Sequence, residues 1–242
     1  LDKYRYGIWI TLSSIITWFG FFDIGFGNGL RNKFAEALAK GDKKQARTYV
    51  STTYIIIASI FSGVLILFMV VNPYLDWSKV LNAPAAYKDE LHVLSYIVFA
   101  SFTLRFVFQL INVILTADQR PALGSFFGPA GNVIVLIIIL IIRHFSATGS
   151  LLLVGTILCT VPVLVLVIAN VILFRTIYKQ YAPSIRYFDK ASIRSLLNLG
   201  IKFFIIQASG IILLQSTNVL ISQLFDPSGV TTYNIAYSLF GS

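Results

Sequence analysis

Arg105 stands near the middle of the apolar run "LHVLSYIVFASFTLRFVFQLINVILTA", residues 91–117, which holds no other Asp, Glu, Lys or Arg. At a membrane helix centre an arginine costs about 2.5 to 3.5 kcal/mol, while each Leu, Ile or Phe returns only about 0.3 to 0.6 kcal/mol. Such a group needs water or protein around it. Ser101, Arg105, Gln109, Asn112 and Thr116 recur at helical spacing, so they form one polar stripe on an otherwise apolar helix and predict a wet or protein-lined interior. A guanidinium there can grip phosphate oxygens through two parallel hydrogen bonds. The competing reading is a structural ion pair, with Asp23 as one partner, or plain interhelical hydrogen bonding. Further on, Gln207, Gln215, Asn218 and Ser222 fall roughly on one helix face. Amides both donate and accept, which suits sugar hydroxyls, but they also serve as glue between membrane helices.

A third group occupies "WFGFFDIGFGNGLRNKF", residues 18–34, where Asp23, Asn28 and Arg31 sit among glycines. Glycines permit close approach or local unwinding at a helix end. An acid beside basic residues can act as an inner gate or as a proton carrier. The stretch is no dinucleotide loop, because the third glycine of that motif falls on Leu30. The lone Cys159 lies in an apolar run and reads as a small buried residue. With His92 and His144 far apart, neither a disulfide nor a metal site is supported, and no cofactor is expected.

Composition identifies the elements that must carry these groups. The 242 residues are 57% hydrophobic and only 12% charged, against roughly 25% charged in an average soluble domain. Apolar blocks fall near 8–28, 49–71, 91–115, 124–142, 151–174 and 201–222, with a seventh starting near 230. Each is close to the ~20 residues that cross ~30 Å of hydrocarbon as a helix. Strands of alternating polarity are absent, so the fold class is an all-α integral membrane protein, a multi-span helical bundle. The net charge of +9 comes from residues between the blocks rather than from an aromatic-interleaved face, which argues against nucleic acid. Thirteen Lys and Arg fall in 29–48, 116–123 and 175–202, and five in the alternate connections. The richer side is therefore cytoplasmic.

The basic connections read as structured. Glu36 and Lys40 form an i,i+4 pair, Gly41 suits a helix C-cap, and Asp42 an N-cap with Gln45 three residues on, giving two short cytoplasmic helical pieces. Asp189 can cap "KASIRSLLNLG", whose Ile193, Leu196 and Leu197 make an apolar face, an interfacial helix leading into the next span. Gly124, Gly128 and Gly131 with Pro129, and Pro162 after them, mark helices that pack tightly or bend. Tyr74, Trp77 and Tyr87 suit an interfacial aromatic belt.

The segments "YGIWITLSSIITWFGFFDIGFGNGLRNKFAEALAKGD" and "NVLISQLFDPSGVTTYNIAYSLF" resemble polysaccharide and O-antigen flippases of the multidrug/oligosaccharidyl-lipid/polysaccharide exporter superfamily. That resemblance implies two six-helix lobes around a central cavity, working by alternating access. It assigns residues 1–182 to helices two to six of the first lobe. Residues 183–242 become an amphipathic linker helix, the seventh helix and the start of the eighth, in a chain that is part of a longer protein. A faint internal echo, Tyr6, Ile8, Thr11 and Leu12 against Tyr233, Ile235, Ser238 and Leu239, fits two related lobes.

By the same resemblance, Arg105, Gln109, Asn112, Gln207, Gln215 and Asn218 bind substrate, and Asp23, Asn28 and Arg31 serve gating or coupling. The implied substrate is an undecaprenyl-pyrophosphate-linked oligosaccharide, flipped without any bond being broken in the bacterial cytoplasmic membrane for surface polysaccharide biosynthesis. The chain would thus not be an enzyme. Its partners would be membrane lipid and polysaccharide assembly proteins. The alternatives are a cation-coupled drug exporter, for which cavity acids are expected, and a membrane polysaccharide polymerase or ligase, for which a large outer loop is expected.

Overall fold

The computed structural model describes residues 26–81, 83–145 and 150–198, with positions 200–202, 205, 206 and 209. Most of the block at 8–28, nearly all of the block at 201–222, the start near 230 and both halves of the internal echo lie outside the described residues. Among the described residues every regular element is helical.

The first helix, α1 (Phe26–Ala39), begins inside the glycine-rich stretch, so Gly27 and Gly29 are helical rather than unwound. It stops at Gly41, whose φ of 69° places it in the left-handed region that glycine adopts without strain. Gly41 N–H donates to Leu38 O and Asp42 N–H to Ala37 O, at 3.0 and 2.9 Å, closing a Schellman turn. Asp42 then accepts from Gln45 N–H at 2.9 Å and starts α2 (Lys43–Val71). This corrects the expectation of two short pieces. Nothing after the Asp42 cap breaks the helix, so the second piece runs on into the apolar block as one 29-residue helix.

After a short 3₁₀ turn (Asn72–Tyr74) come α3 (Trp77–Val80), α4 (Lys88–Phe108), α5 (Leu110–Ala117), α6 (Pro121–Phe145) and α7 (Leu151–Arg175). Residues 190–198 form α8. Four stretches among the described residues are long and apolar enough to cross a membrane: Lys43–Tyr74, Lys88–Ala117, Pro121–His144 and Leu151–Arg175. They contain the four expected blocks; three start earlier than the apolar run, and the fourth starts with it at Leu151. Side chains such as Ile66, Leu67, Phe126 and Leu136 are exposed. In water such a surface would aggregate, whereas acyl chains cover it at no cost.

The spans alternate in direction, as the connections show. At one end Arg47 Nε donates to Ala182 O at 3.0 Å, Ser184 N–H to Ser51 Oγ at 3.1 Å, Asp189 N–H to Thr52 Oγ1 at 3.1 Å, and Tyr178 Oη to Asp118 Oδ2 at 2.7 Å. This is the end rich in Lys and Arg. At the other end Asn72 Oδ1 accepts from Trp77 Nε1 at 2.6 Å and Ser95 Oγ at 3.1 Å, and Glu90 Oε1 accepts from Ser150 Oγ and Leu152 N–H, both at 2.8 Å. Glu90 thereby sets a negative charge on the positive N-terminal end of α7. Trp77 departs from the expected aromatic belt: it is buried in the core of this end, because its N–H finds Asn72 there, while Tyr74 stays exposed.

Two glycines of α6 pack closely as expected. A Cβ on Gly131 would sit 3.2 Å from Pro162 Cα, and one on Gly124 would sit 3.5 Å from Asn112, whereas Gly128 faces open space. The closest approach is elsewhere, at Gly29, where an added methyl would collide with the main-chain carbonyl of Leu196. The apolar face of α8 is thus spent on protein: Leu196 is fully buried in the same core as Leu30 and Phe34. That differs from an interfacial helix whose apolar side meets lipid. Asp189 caps α8 as expected, accepting from Ala191 N–H and Ser192 N–H at 3.1 and 2.9 Å.

Two substitutions test this packing in thermal unfolding of the detergent-solubilised protein. Gly29→Ala is expected to destabilise by about 1 to 3 kcal/mol, because its new methyl meets backbone that cannot rotate away. Gln119 holds the left-handed position of the Schellman turn after α5, at φ 59°. Gln119→Gly is expected to stabilise by about 1 kcal/mol. Opposite signs from either variant would contradict the respective geometry.

Candidate substrate site beside a broken span

The polar stripe that begins at Ser101 does not run along one straight helix. The span breaks at Gln109, between α4 and α5. Asn112 N–H donates to Gln109 O at 2.9 Å, a three-residue step, and so leaves the Phe108 carbonyl that a continuous helix would have given it. Asn170 of α7 fills that vacancy. Its Nδ2 donates to Phe108 O and to Leu166 O, both at 2.8 Å, while its Oδ1 accepts from Tyr54 Oη of α2 at 2.8 Å. Asn170 and Tyr54 are both buried, so one amide ties three spans together with its donors and its acceptor all engaged.

The break redistributes the expected binding residues. Ser101 is buried in protein, Gln109 and Asn112 are half-buried, and Thr116 turns its hydroxyl back onto the Asn112 carbonyl at 2.7 Å. Asn112 lies against Gly124 on α6, and its Oδ1 is buried without a hydrogen-bond partner among the described residues. Arg105 is exposed. Between Leu94 and Phe108 only Leu104, 46% exposed, and Arg105 are exposed, the others being buried or half-buried, so the guanidinium occupies a window in a largely covered span. It makes no ion pair with a described residue. Arg105, Gln109 and Asn112 therefore share a span and are linked through the backbone, from Asn112 N–H to Gln109 O and from Gln109 N–H to Arg105 O, while their side chains stand apart in burial.

On α1, Asn28 is half-buried and its carbonyl accepts from Asn32 Nδ2 at 2.9 Å, while Arg31 is exposed. Asp23, Gln207, Gln215 and Asn218 lie outside the described residues. The acids of the basic end are occupied locally. Lys33 and Lys40 hydrogen-bond Glu36 at 2.8 and 2.6 Å and hold its carboxyl down at about 2. Hydrogen bonds from Ser192 and from the backbone of Ala191 keep Asp189 below the usual carboxylate range. Burial, with Asp118 beside it, pushes the Tyr178 phenol up. Among the described residues no three His, Cys, Asp or Glu converge on a point where a metal ion would sit.

Comparison of the chain with family models, curated proteins and solved structures returns no match. Asn170 and Tyr54 are the residues that reading the sequence missed. The available signal was a lone amide in "LLLVGTILCTVPVLVLVIANVILF", where an unpaired polar group would be costly.

Asn170→Leu is expected to destabilise the detergent-solubilised protein by about 2 kcal/mol or more, since it orphans the Phe108 carbonyl and the Tyr54 hydroxyl at once. Tyr54→Phe removes one bond and costs about 1 kcal/mol. In the Asn170→Leu background, Tyr54→Phe should add little. Full additivity of the two losses would show that they do not act through one amide.

Proposed function

We propose that the chain is the first lobe, with the start of the second, of a flippase of the multidrug/oligosaccharidyl-lipid/polysaccharide exporter superfamily. On this reading it moves undecaprenyl-pyrophosphate-linked oligosaccharide repeat units from the cytoplasmic to the outer leaflet of a bacterial inner membrane. The basic end is the cytoplasmic one. Transport proceeds by alternating access, and no bond is made or broken.

The observation that carries the reading is Arg105 in its window: an exposed cation near the middle of the span, without an ion pair among the described residues, where most neighbours on the helix are buried or half-buried. A guanidinium so placed suits the charged headgroup of a lipid-linked sugar, whose phosphate oxygens accept two hydrogen bonds from it. The likeness to flippases, strongest at residues 4–47 and 196–240, supplies the lipid and sugar identity. The break at Gln109, one turn beyond the cation, gives the span a place to bend as the cavity changes sides.

In cells lacking the gene, the lipid-linked precursor should accumulate inside while the surface glycan disappears. Restoring Arg105→Ala should leave export at least about tenfold below wild type, as expected from losing a charge-assisted contact of about 1.5 to 3 kcal/mol. Arg105→Lys keeps the charge but not the fork, and should recover part of the export. Normal export by well-expressed Arg105→Ala protein would remove the anion-binding role. Exported but unpolymerised repeat units in the deletion strain would point instead to a polymerase.

A further inference from the structure

The connection leaving α7 is strapped along the first turns of α2. Besides the bonds from Arg47 to Ala182, Ser184 to Ser51 and Asp189 to Thr52, the Arg47 guanidinium stacks 4.3 Å above the Tyr187 ring. These contacts fix residues 182–189 at the level of Ser51 and Thr52. The continuous apolar part of α2 begins just beyond, at Tyr54, so the strap lies where a headgroup layer meets hydrocarbon.

Two further features of this strap are independent of each other. Ile185 is 84% exposed, more than any other aliphatic side chain among the described residues. On the elements that the strap joins are cations that are exposed and form no ion pair with a described acid: Arg186 next to Ile185, Lys190 at the start of α8, and Lys43 and Lys44 one turn before Arg47 on α2. The two acids nearest in sequence accept backbone N–H groups as helix caps, the exposed Asp42 on α2 and the half-buried Asp189 on α8. An exposed apolar residue on a strap fixed beside the basic first turn of α2 fits a surface that is oily below and anionic above.

We infer that this strap is a docking site for anionic phospholipid, with Ile185 entering the acyl boundary and Lys43, Lys44, Arg186 and Lys190 holding phosphodiester headgroups. The inference rests on the membrane-spanning fold alone and is independent of what the protein transports.

The test uses the full chain with Cys159→Ala and Ile185→Cys, labelled at residue 185 with an environment-sensitive fluorophore and reconstituted in phosphatidylcholine vesicles. Nitroxide-labelled phosphatidylglycerol should quench the fluorophore more strongly than nitroxide-labelled phosphatidylcholine at the same mole fraction. High salt should shrink that excess. Changing Lys43, Lys44, Arg186 and Lys190 to Gln should bring the two lipids to parity while leaving thermal unfolding in phosphatidylcholine unchanged, since all four side chains are exposed. Equal quenching by both lipids with the cations intact would overturn the site. So would quenching by aqueous iodide in place of lipid, which would mark a surface for a soluble partner. Competition by glycerol phosphate would reassign it to a soluble anion.

Discussion

In hydrocarbon no water is at hand to satisfy a backbone carbonyl, so a membrane helix can break only where protein replaces the lost bond. At Gln109 that replacement is the Asn170 amide, which takes the Phe108 carbonyl from a neighbouring span. Much of the bundle follows from this one substitution. Before the break, α4 packs along α7 and puts Leu91, Leu94 and Val98 into the core of the far end with Leu151. After it, α5 turns to α1 and α6 and brings Ile111, Ile114 and Leu115 into the core of the basic end with Leu30, Phe34 and Leu196. Phe106 and Phe102, one and two turns before the break, join that same core. The acceptor on the same amide, taken by Tyr54, adds α2 to the joint.

The joint is reinforced from the basic end. Ser51, Thr52, Thr53 and Tyr54 are four consecutive buried positions, spanning about 300° of the α2 circumference at 100° per residue. At this level α2 is enclosed, with the strap on Ser51 and Thr52 and α7 on Tyr54. About three to four turns further on, Val64, Ile66 and Leu67 are exposed and this face of the helix meets lipid. The same helix is therefore enclosed at one end and packed on one face beyond it, through Ile57, Phe61 and Phe68. Polar side chains, which are expensive inside lipid, are concentrated where backbone N–H groups of the strap need acceptors.

The spans and their caps were legible because their causes are local. Asp42, Gly41 and Asp189 act on backbone groups within a few residues, and apolar runs announce themselves. The break was not, because nothing near Gln109 in the chain marks it: no glycine or proline is there, and the amide that sustains it comes from 62 residues beyond Phe108. Gly29 shows the same limit. Its type promised a close approach, but that the partner would be the Leu196 carbonyl depends on the assembled fold. For the candidate site, the cost of Arg105 was readable from its apolar neighbours. The direction in which it points was not, because helical spacing extrapolated past residue 109 assumes a continuity that Asn170 interrupts.

What fills the window at Arg105 decides whether the charge is tolerable. Acyl chains there would leave a cost of about 2.5 to 3.5 kcal/mol, the amount that several flanking Leu, Ile or Phe are needed to offset. Water or an anion removes most of that cost, because the guanidinium then keeps its hydrogen bonds. Lys88–Ala117 is the most deeply covered of the four spans, and Arg105 stands at one of its few exposed positions. A cation held on the central span, open on one side and one turn from a break, can change its surroundings when the span bends without first being torn from a partner. On the transport reading that freedom is its use: an arginine locked into an ion pair would hold the bundle in one state, whereas an open one can follow a phosphate from one side of the membrane to the other.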